Sequence, residues 1–336
     1  MRLEMRFIDF MHREVSVEKR NRLYPILAFV TALMTLGLIV FGAVVRVTDS
    51  GLGCGQSWPL CNGTVIPPLD NLTAWIEWLH RLFAVLIGLF GLATLALAFR
   101  AYRQQNRPVL TYTVIAAVLF ALQSALGAFV VILDLPPTFV TLHLGTAMLL
   151  LAALLAAALY AVYRPRVQYG RDSFTSLGIV TAVLSLIIIL TGALVRGSGA
   201  TLACTDWPLC NGSIFPFNQG QLQIIHMLHR VAVLGLGIAL ILLVWQSYTR
   251  RQHRTVRMLA VGSLVVFLMQ AGVGAGYVLS SADAFWGAAH VAFAALTWAL
   301  LVALSVIDYM NTRSLEMVKS EGNTAAWTGQ SQSLTN

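Results

Sequence analysis

Four of the seven histidines in this 336-residue sequence recur as two matched pairs, His80 with His143 and His229 with His290. Imidazole suits Zn, Cu, Fe and Ni, so a repeated pair is first a candidate metal-ligand set. Glu77 precedes His80 by three positions, and His226 precedes His229 by three. Residues at that spacing share a helix face, so Glu77 and His226 reach the same place in their respective copies. A carboxylate there suits proton transfer or stabilisation of a developing positive charge. Taken alone, Glu77 reads more simply as a helix-start acid favoured by the dipole. Its interest is that one copy keeps an acid and the other does not. That asymmetry points to reaction at one site and storage or passage of electrons at the other. The four cysteines are also paired, Cys54 with Cys61 and Cys204 with Cys210, and neither pair is CxxC. On the non-cytoplasmic side such pairs form disulfides; a zinc site is the weaker reading, and a redox-active pair over the histidine site stays open.

The elements that must position these residues follow from composition. Apolar residues make up 58% of the chain and charged residues 11%, with a net charge of +8. A soluble domain carries about 25% charged residues, so a water-soluble fold is excluded, and disorder with it. Eight apolar runs, near 23–46, 74–99, 108–132, 138–163, 174–196, 222–247, 256–279 and 284–309, are long enough to cross a bilayer. They do not alternate as barrel strands would, so an all-α membrane protein is expected. All but Arg46, Arg81, Arg196 and Arg230 of the 22 basic residues fall on one side of these spans. The positive-inside rule then makes both termini cytoplasmic. The charge is thus topological and nominates no nucleic-acid partner. The first run is too long for a signal-peptide core and is kept as a span. The residues from about 311 to 336 read as a mobile polar tail.

The two halves of the chain repeat each other. Gly42-Ala43-Val44-Val45-Arg46 matches Gly192-Ala193-Leu194-Val195-Arg196, and Trp58-Pro59-Leu60-Cys61-Asn62-Gly63 matches Trp207-Pro208-Leu209-Cys210-Asn211-Gly212. His80-Arg81 matches His229-Arg230, and Gln123 and Gly127 match Gln270 and Gly274. Four spans per repeat insert both halves the same way round. The expected architecture is two tandem four-helix bundles, 23–163 and 174–310, related by a pseudo-twofold along the membrane normal. A cytoplasmic tail at 1–22, a linker at 164–173 and the tail at 311–336 complete the division.

Counted from these helix starts, His80, His143, His229 and His290 all lie roughly 8–10 Å in from the outer helix ends. Two imidazoles at one depth on facing helices suit an axial pair on a flat ligand. The bland alternative, a histidine hydrogen-bonded to a neighbouring helix, fits a single residue better than a repeated pair. Zinc normally gathers three or four protein ligands, whereas two fit haem iron, whose porphyrin supplies the other nitrogens. Haem propionates need cations near the surface. Arg46, Arg81, Arg196 and Arg230 lie there as repeat-related pairs, with headgroup snorkelling as the competing reading for each. Small residues in the third and seventh spans, Ser124, Gly127, Ala128, Ala271, Gly272, Gly274 and Gly276, allow close approach of a helix or a ring.

At this point the sequence resembles the haem A synthases over about 24–310, in both repeats. The resemblance rests on Glu77-Trp78-Leu79-His80, His143, His226-Met227-Leu228-His229 and His290, with the Gly-Ala-x-Val-Arg ends and Trp-Pro-x-Cys loops. It implies a haem B cofactor held by His229 and His290 in the C-terminal half, near Arg196 and Arg230. It implies haem O as substrate near His80 and His143, with Arg46 and Arg81 beside it, and a part for Glu77 in turnover. The reaction is oxidation of a methyl of haem O to the formyl of haem A for terminal oxidases. Haem O would come from a haem O synthase, and an electron acceptor is required that the residues do not specify. A homo-oligomer is compatible with the sequence, and short loops suggest a bacterial plasma membrane. Three other readings remain: a bis-histidine b-type cytochrome that leaves its haems unmodified, a transporter with parallel repeats, and a thiol-disulfide carrier. The cytochrome explains the four histidines but not the Glu77/His226 difference.

Overall fold

A computed structural model describes the backbone of residues 2–165 and 170–333 and the side chains of 22–165 and 170–312. Among the described residues there are eight long α-helices and no strands. They are α1 Arg2–Val47, α2 Leu72–Tyr102, α3 Arg107–Ile132, α4 Pro137–Val162, α5 Ser173–Gly197, α6 Gln221–Arg250, α7 Arg254–Leu279 and α8 Ala284–Ser333. Each is long and apolar enough to span a membrane, and together they make a multi-pass membrane protein. Seven of the eight expected spans fall inside one of them, and the fourth, 138–163, runs one residue past α4, where Tyr163 is the C-cap. The expected linker at 164–173 is described only at its ends, Arg166 lies outside the described residues, and the expected tail falls largely on residues whose side chains are not described.

Local chemistry sets the helix ends. Asn71 caps α2 by accepting the Ala74 N–H at 3.0 Å, and Asp172 caps α5 by accepting those of Phe174 and Thr175. Proline at the first turn of α3 and α4 occupies positions where a missing N–H costs nothing. The turns after α3 and α7 match: Asp134 and Leu135 have positive φ, as do Ser281 and Ala282. Buried hydroxyls are satisfied within their own helices, as when Thr35, Thr113 and Thr181 each donate to the carbonyl four residues earlier.

Helix contacts run in the same order in both halves. α1 touches α2 and α4, α2 touches α3, and α3 touches α4; α5 touches α6 and α8, α6 touches α7, and α7 touches α8. Across the halves α1 meets α8, α4 meets α5, and α4 meets α8. The helices that carry His143 and His290 are therefore central, and α4 is buried along most of its inner face. The Trp298 indole N–H of α8 donates to the Met148 carbonyl of α4 at 2.9 Å. Leu33, Val85, Val118, Leu234 and Met258 lie exposed on outer faces, as side chains meeting lipid would.

One cation counted as topological has another task. Arg251 is buried, with its Nε donating to Asp308 at 2.6 Å and its Nη atoms to Asp172 at 2.8 and 3.0 Å. Its guanidinium also lies over the Phe174 ring, 4.5 Å from the centroid. Burial alone would raise the Asp172 pKa, but the hydrogen bonds and charge of Arg251 outweigh it and hold the carboxyl below its usual value. This cluster ties the inner ends of α5, α6 and α8 together.

Candidate functional site

The four histidines stand on α2, α4, α6 and α8, and each rests on a glycine of the preceding helix. A Cβ built on Gly42 of α1 would lie 3.1 Å from His80 Cε1, and one on Gly127 of α3 would lie 3.1 Å from His143 Cε1. The second half repeats this: Gly192 of α5 with His229 at 3.1 Å, and Gly274 of α7 with His290 at 2.9 Å. The glycines thus act as seats that let an imidazole edge approach a helix backbone. His80 and His143 lie close enough to interact electrostatically, and so do His229 and His290. Each half therefore brings one pair of imidazoles together.

The ring nitrogens are held differently in the two halves. Thr191 donates its hydroxyl hydrogen to the Ile188 carbonyl at 2.8 Å, so towards His229 Nδ1, 2.9 Å away, it can only accept. His290 Nδ1 lies 3.2 Å from the Gln270 carbonyl, an acceptor only. Both rings then carry hydrogen on Nδ1 and a lone pair on Nε2. In the first half, His80 Nδ1 and His143 Nδ1 are buried without a protein partner. His143 faces the equivalent Gln123 carbonyl, outside hydrogen-bonding geometry. The position matching Thr191 is Phe41, whose ring centroid lies 6.1 Å from that of His80. Gln123 Nε2 lies 3.2 Å from His143 Nε2, whereas the Gln270 amide lies 3.5 Å from the Thr297 hydroxyl. Leu150 is the residue matching Thr297.

Glu77 is buried and held on both oxygens. Oε2 accepts the Cys54 N–H at 2.8 Å, and Oε1 is ion-paired with Arg81 one turn further on. His226, its counterpart, is buried against the backbone of Ala200. Cys54–Cys61 and Cys204–Cys210 are disulfides, in agreement with the sequence. Both loops fold alike, with Asn62 and Asn211 at positive φ and the Trp58-Pro59 and Trp207-Pro208 bonds cis.

Arg81 and Arg230, assigned from sequence to propionates, are engaged by these loops. Arg81 Nη1 donates to the Ser57 and Leu60 carbonyls at 2.9 Å, and Arg230 Nη1 donates to the Asp206 carbonyl at 2.9 Å and to that of Leu209. Each disulfide loop is thus clamped to the helix turn that carries the histidine preceding its arginine. The second loop adds a latch in which Asp206 accepts the Gly212 and Asn211 N–H groups. The Gly212 hydrogen bond first, then that of Asn211 and the charge of Arg230, hold its carboxyl below the usual range. Arg46 lies within electrostatic reach of Arg196 and Asp49. Arg196 Nη2 is 3.5 Å from Asp49, and its buried Nε has no protein acceptor.

A further difference lies deeper. A cavity of about 60 Å³ in the first half is lined by residues including Ile87, Gly88, Gly91, Thr94, Ala116 and Phe120. Leu240, fully buried, stands where Gly91 would in the second half.

The structure brings together the histidine pairs and the cysteine pairs that the sequence matched, while Glu77, one turn before His80, turns its oxygens to Cys54 and Arg81. Sequence reasoning did not see the carbonyl clamps of Arg81 and Arg230, or the oriented Nδ1 atoms. Thr191 had one visible signal, as the unmatched residue beside the repeated Gly-Ala-x-Val-Arg end. Among the described residues no cluster of three or more His, Cys, Asp or Glu could hold a bare metal ion. The donor set is instead two imidazoles per half, beside an arginine Nε lacking an acceptor. This fits a metal that brings its own equatorial ligands and anionic groups.

The architecture and site define a duplicated membrane protein with one buried imidazole pair in each copy. The profile of the COX15-CtaA family, described as cytochrome oxidase assembly protein, matches residues 25–302. A heme A synthase of Shouchella clausii (strain KSM-K16) is 32% identical over 284 residues, 82% of this chain and 93% of the relative. One of Exiguobacterium sp. (strain ATCC BAA-1283 / AT1b) is 30% identical over 85% of this chain and 94% of its own length. A third, of Symbiobacterium thermophilum, is 30% identical over 81% of this chain and 90% of the relative. The chain belongs to the COX15-CtaA family of cytochrome oxidase assembly proteins.

Proposed function

We propose that this protein is a membrane-embedded haem A synthase, oxidising a methyl substituent of haem O to the formyl group of haem A for terminal oxidase assembly. The observation that carries this reading is the duplicated imidazole pair with a buried carboxylate beside one copy only. The relatives named heme A synthase support it. In this reading His80 and His143 bind the substrate haem O, and His229 and His290 hold haem B. Haem B, when bound, supplies one-electron transfer. Arg46 and Arg196 offer charge to propionates. Arg81 and Arg230 add theirs from guanidiniums whose hydrogen bonds go to the loops.

Oxidising a methyl to a formyl group takes one oxygen atom from water, passes four electrons to an external acceptor and releases four protons, and Glu77 is the group placed to take protons, at Oε1. Arg81 can let go of that oxygen because the loop carbonyls already give it other acceptors. The clamped loop holds the helix turn that carries Glu77 and His80.

The repeated contact order supports two bundles, 23–163 and 174–310, related by a pseudo-twofold along the membrane normal. The distribution of Lys and Arg supports cytoplasmic termini, and the bacterial relatives support a bacterial plasma membrane. Haem O would be received from a haem O synthase.

Purification from a host that makes haem O, with chromatographic identification of the bound haems, tests the reading. Haem A and haem B are expected in the parent protein. Glu77→Gln should keep the haem B spectrum and yield little haem A. Parent-level haem A from that variant would remove Glu77 from the mechanism, and no haem A from the parent would favour the bis-histidine cytochrome.

A further inference from the structure

We propose that the two imidazole pairs are tuned for opposite lifetimes: Thr191 and the Gln270 carbonyl lock the second pair for a resident haem, while Phe41 and Leu150 leave the first pair unlocked for a haem that must enter and leave. This rests on the assignment of haem O to the first half and haem B to the second.

A metal-bound histidine normally donates its other ring N–H to an acceptor that fixes the tautomer and ring angle and raises ligand basicity. Removing that acceptor typically costs about 10–100-fold in metal affinity. Both histidines of the second half have it. The Thr191 hydroxyl is polarised by its own bond to Ile188, and the Gln270 carbonyl faces His290. Their Nε2 atoms are therefore ready to ligate before any metal arrives.

The first half lacks the hydroxyl lock and holds the carbonyl one more loosely. Phe41 has no polar atom to offer His80 Nδ1, and the Gln123 carbonyl faces His143 Nδ1 outside hydrogen-bonding geometry. Gln123 goes further, because its amide occupies His143 Nε2, the nitrogen an iron would need. In the second half the Thr297 hydroxyl, already donating to the Phe293 carbonyl at 2.9 Å, gives the Gln270 side chain a polar neighbour at 3.5 Å. Leu150 cannot offer Gln123 that alternative. A haem entering the first half displaces an amide, and on leaving it hands the imidazole back to one. Each ring has a glycine seat in both halves, with His290 seated closer than His143, so the polar partners are the main difference around the rings themselves. Thr191, Thr297, Phe41 and Leu150 act here as positioning residues.

The test is haem capture by excess apomyoglobin from the purified full chain. The captures use protein loaded with haem O without an electron acceptor, so that haem O is not converted, and chromatography of the captured pigment separates haem O, lost from the first pair, from haem B, lost from the second. In the parent, haem O should be captured at least tenfold faster than haem B. Thr191→Val keeps the shape and removes the hydroxyl; it should speed haem B capture by about 10–100-fold, and Thr191→Ser should restore the slow rate. Phe41→Thr with Leu150→Thr should slow haem O capture and leave haem B unchanged. Parent-like haem B capture in Thr191→Val would overturn the lock. Unchanged haem O capture in the double variant would overturn the unlocked first pair, and that arm stands even if Thr191→Val does not accumulate. A parent protein that takes up haem B but never haem O would overturn the functional reading instead, while its haem B rates still decide the lock.

Discussion

Gly274 and Gly272 lie two residues apart on α7, and alanine should have opposite effects at them. Alanine is favoured over glycine in a helix by about 1 kcal/mol at either position. At Gly272 nothing lies within 4 Å of the added Cβ, so that gain should appear undiminished. At Gly274 the Cβ would stand 2.9 Å from His290 Cε1 and 3.1 Å from Nδ1. Carbon contacts settle near about 3.5–4.0 Å, so the ring must retreat by roughly 0.6–1 Å. The bond from His290 Nδ1 to the Gln270 carbonyl is already 3.2 Å long. A further half ångström takes it past hydrogen-bonding distance, and a buried group left unpaired costs about 1–3 kcal/mol. The helix gain is thus offset or exceeded, and the ligand loses its orienting partner. Gly274→Ala should hold haem at least tenfold more weakly than the parent, by haem-to-protein ratio and apomyoglobin capture. Gly272→Ala should keep its haem and unfold at the parent temperature or above. If Gly274→Ala retained haem as tightly as Gly272→Ala, with the same spectrum, the glycine would be mere helix packing and the seat reasoning would fail.

Two further outcomes follow from the ends of the molecule. Arg251→Met should destabilise the protein by about 3–5 kcal/mol in detergent unfolding, because it leaves Asp308 buried without its cation; adding Asp308→Leu should recover part of that loss. Asp206 has a lowered pKa, so its contribution to loop closure is complete above the ordinary carboxylate range and is lost only as pH falls through the lowered value. Hydrogen exchange of residues 204–213 should therefore show equal protection at pH 7 and pH 5, with opening only in stronger acid. Protection already lost at pH 5 would contradict the latch, and Asp206→Asn should open the loop at neutral pH.

The spans were legible because a bilayer demands long apolar helices, and nothing in the chain competes with that signal. The paired histidines were legible because duplication wrote them twice. Other features depend on atoms that the sequence does not locate. Arg81 and Arg230 looked like propionate partners because their charge was visible, whereas the carbonyls that take their hydrogen bonds are placed by the turn of each disulfide loop. Arg251 counted as one more inner-side cation, since its acids come from two other helices, Asp172 before α5 and Asp308 in α8. The glycines were noted as allowing close approach of a helix or ring, and only the packed structure shows that the approaching group is an imidazole edge.

The bond from Trp298 to the Met148 carbonyl makes the contact between α4 and α8 one-sided. The residue matching Trp298 is Leu151, so one helix supplies the donor and the other room and a carbonyl. Two identical helices could not make this contact, because each would carry the indole and neither would leave room for the other's. The unlike residues thus let α4 and α8 meet in one way only.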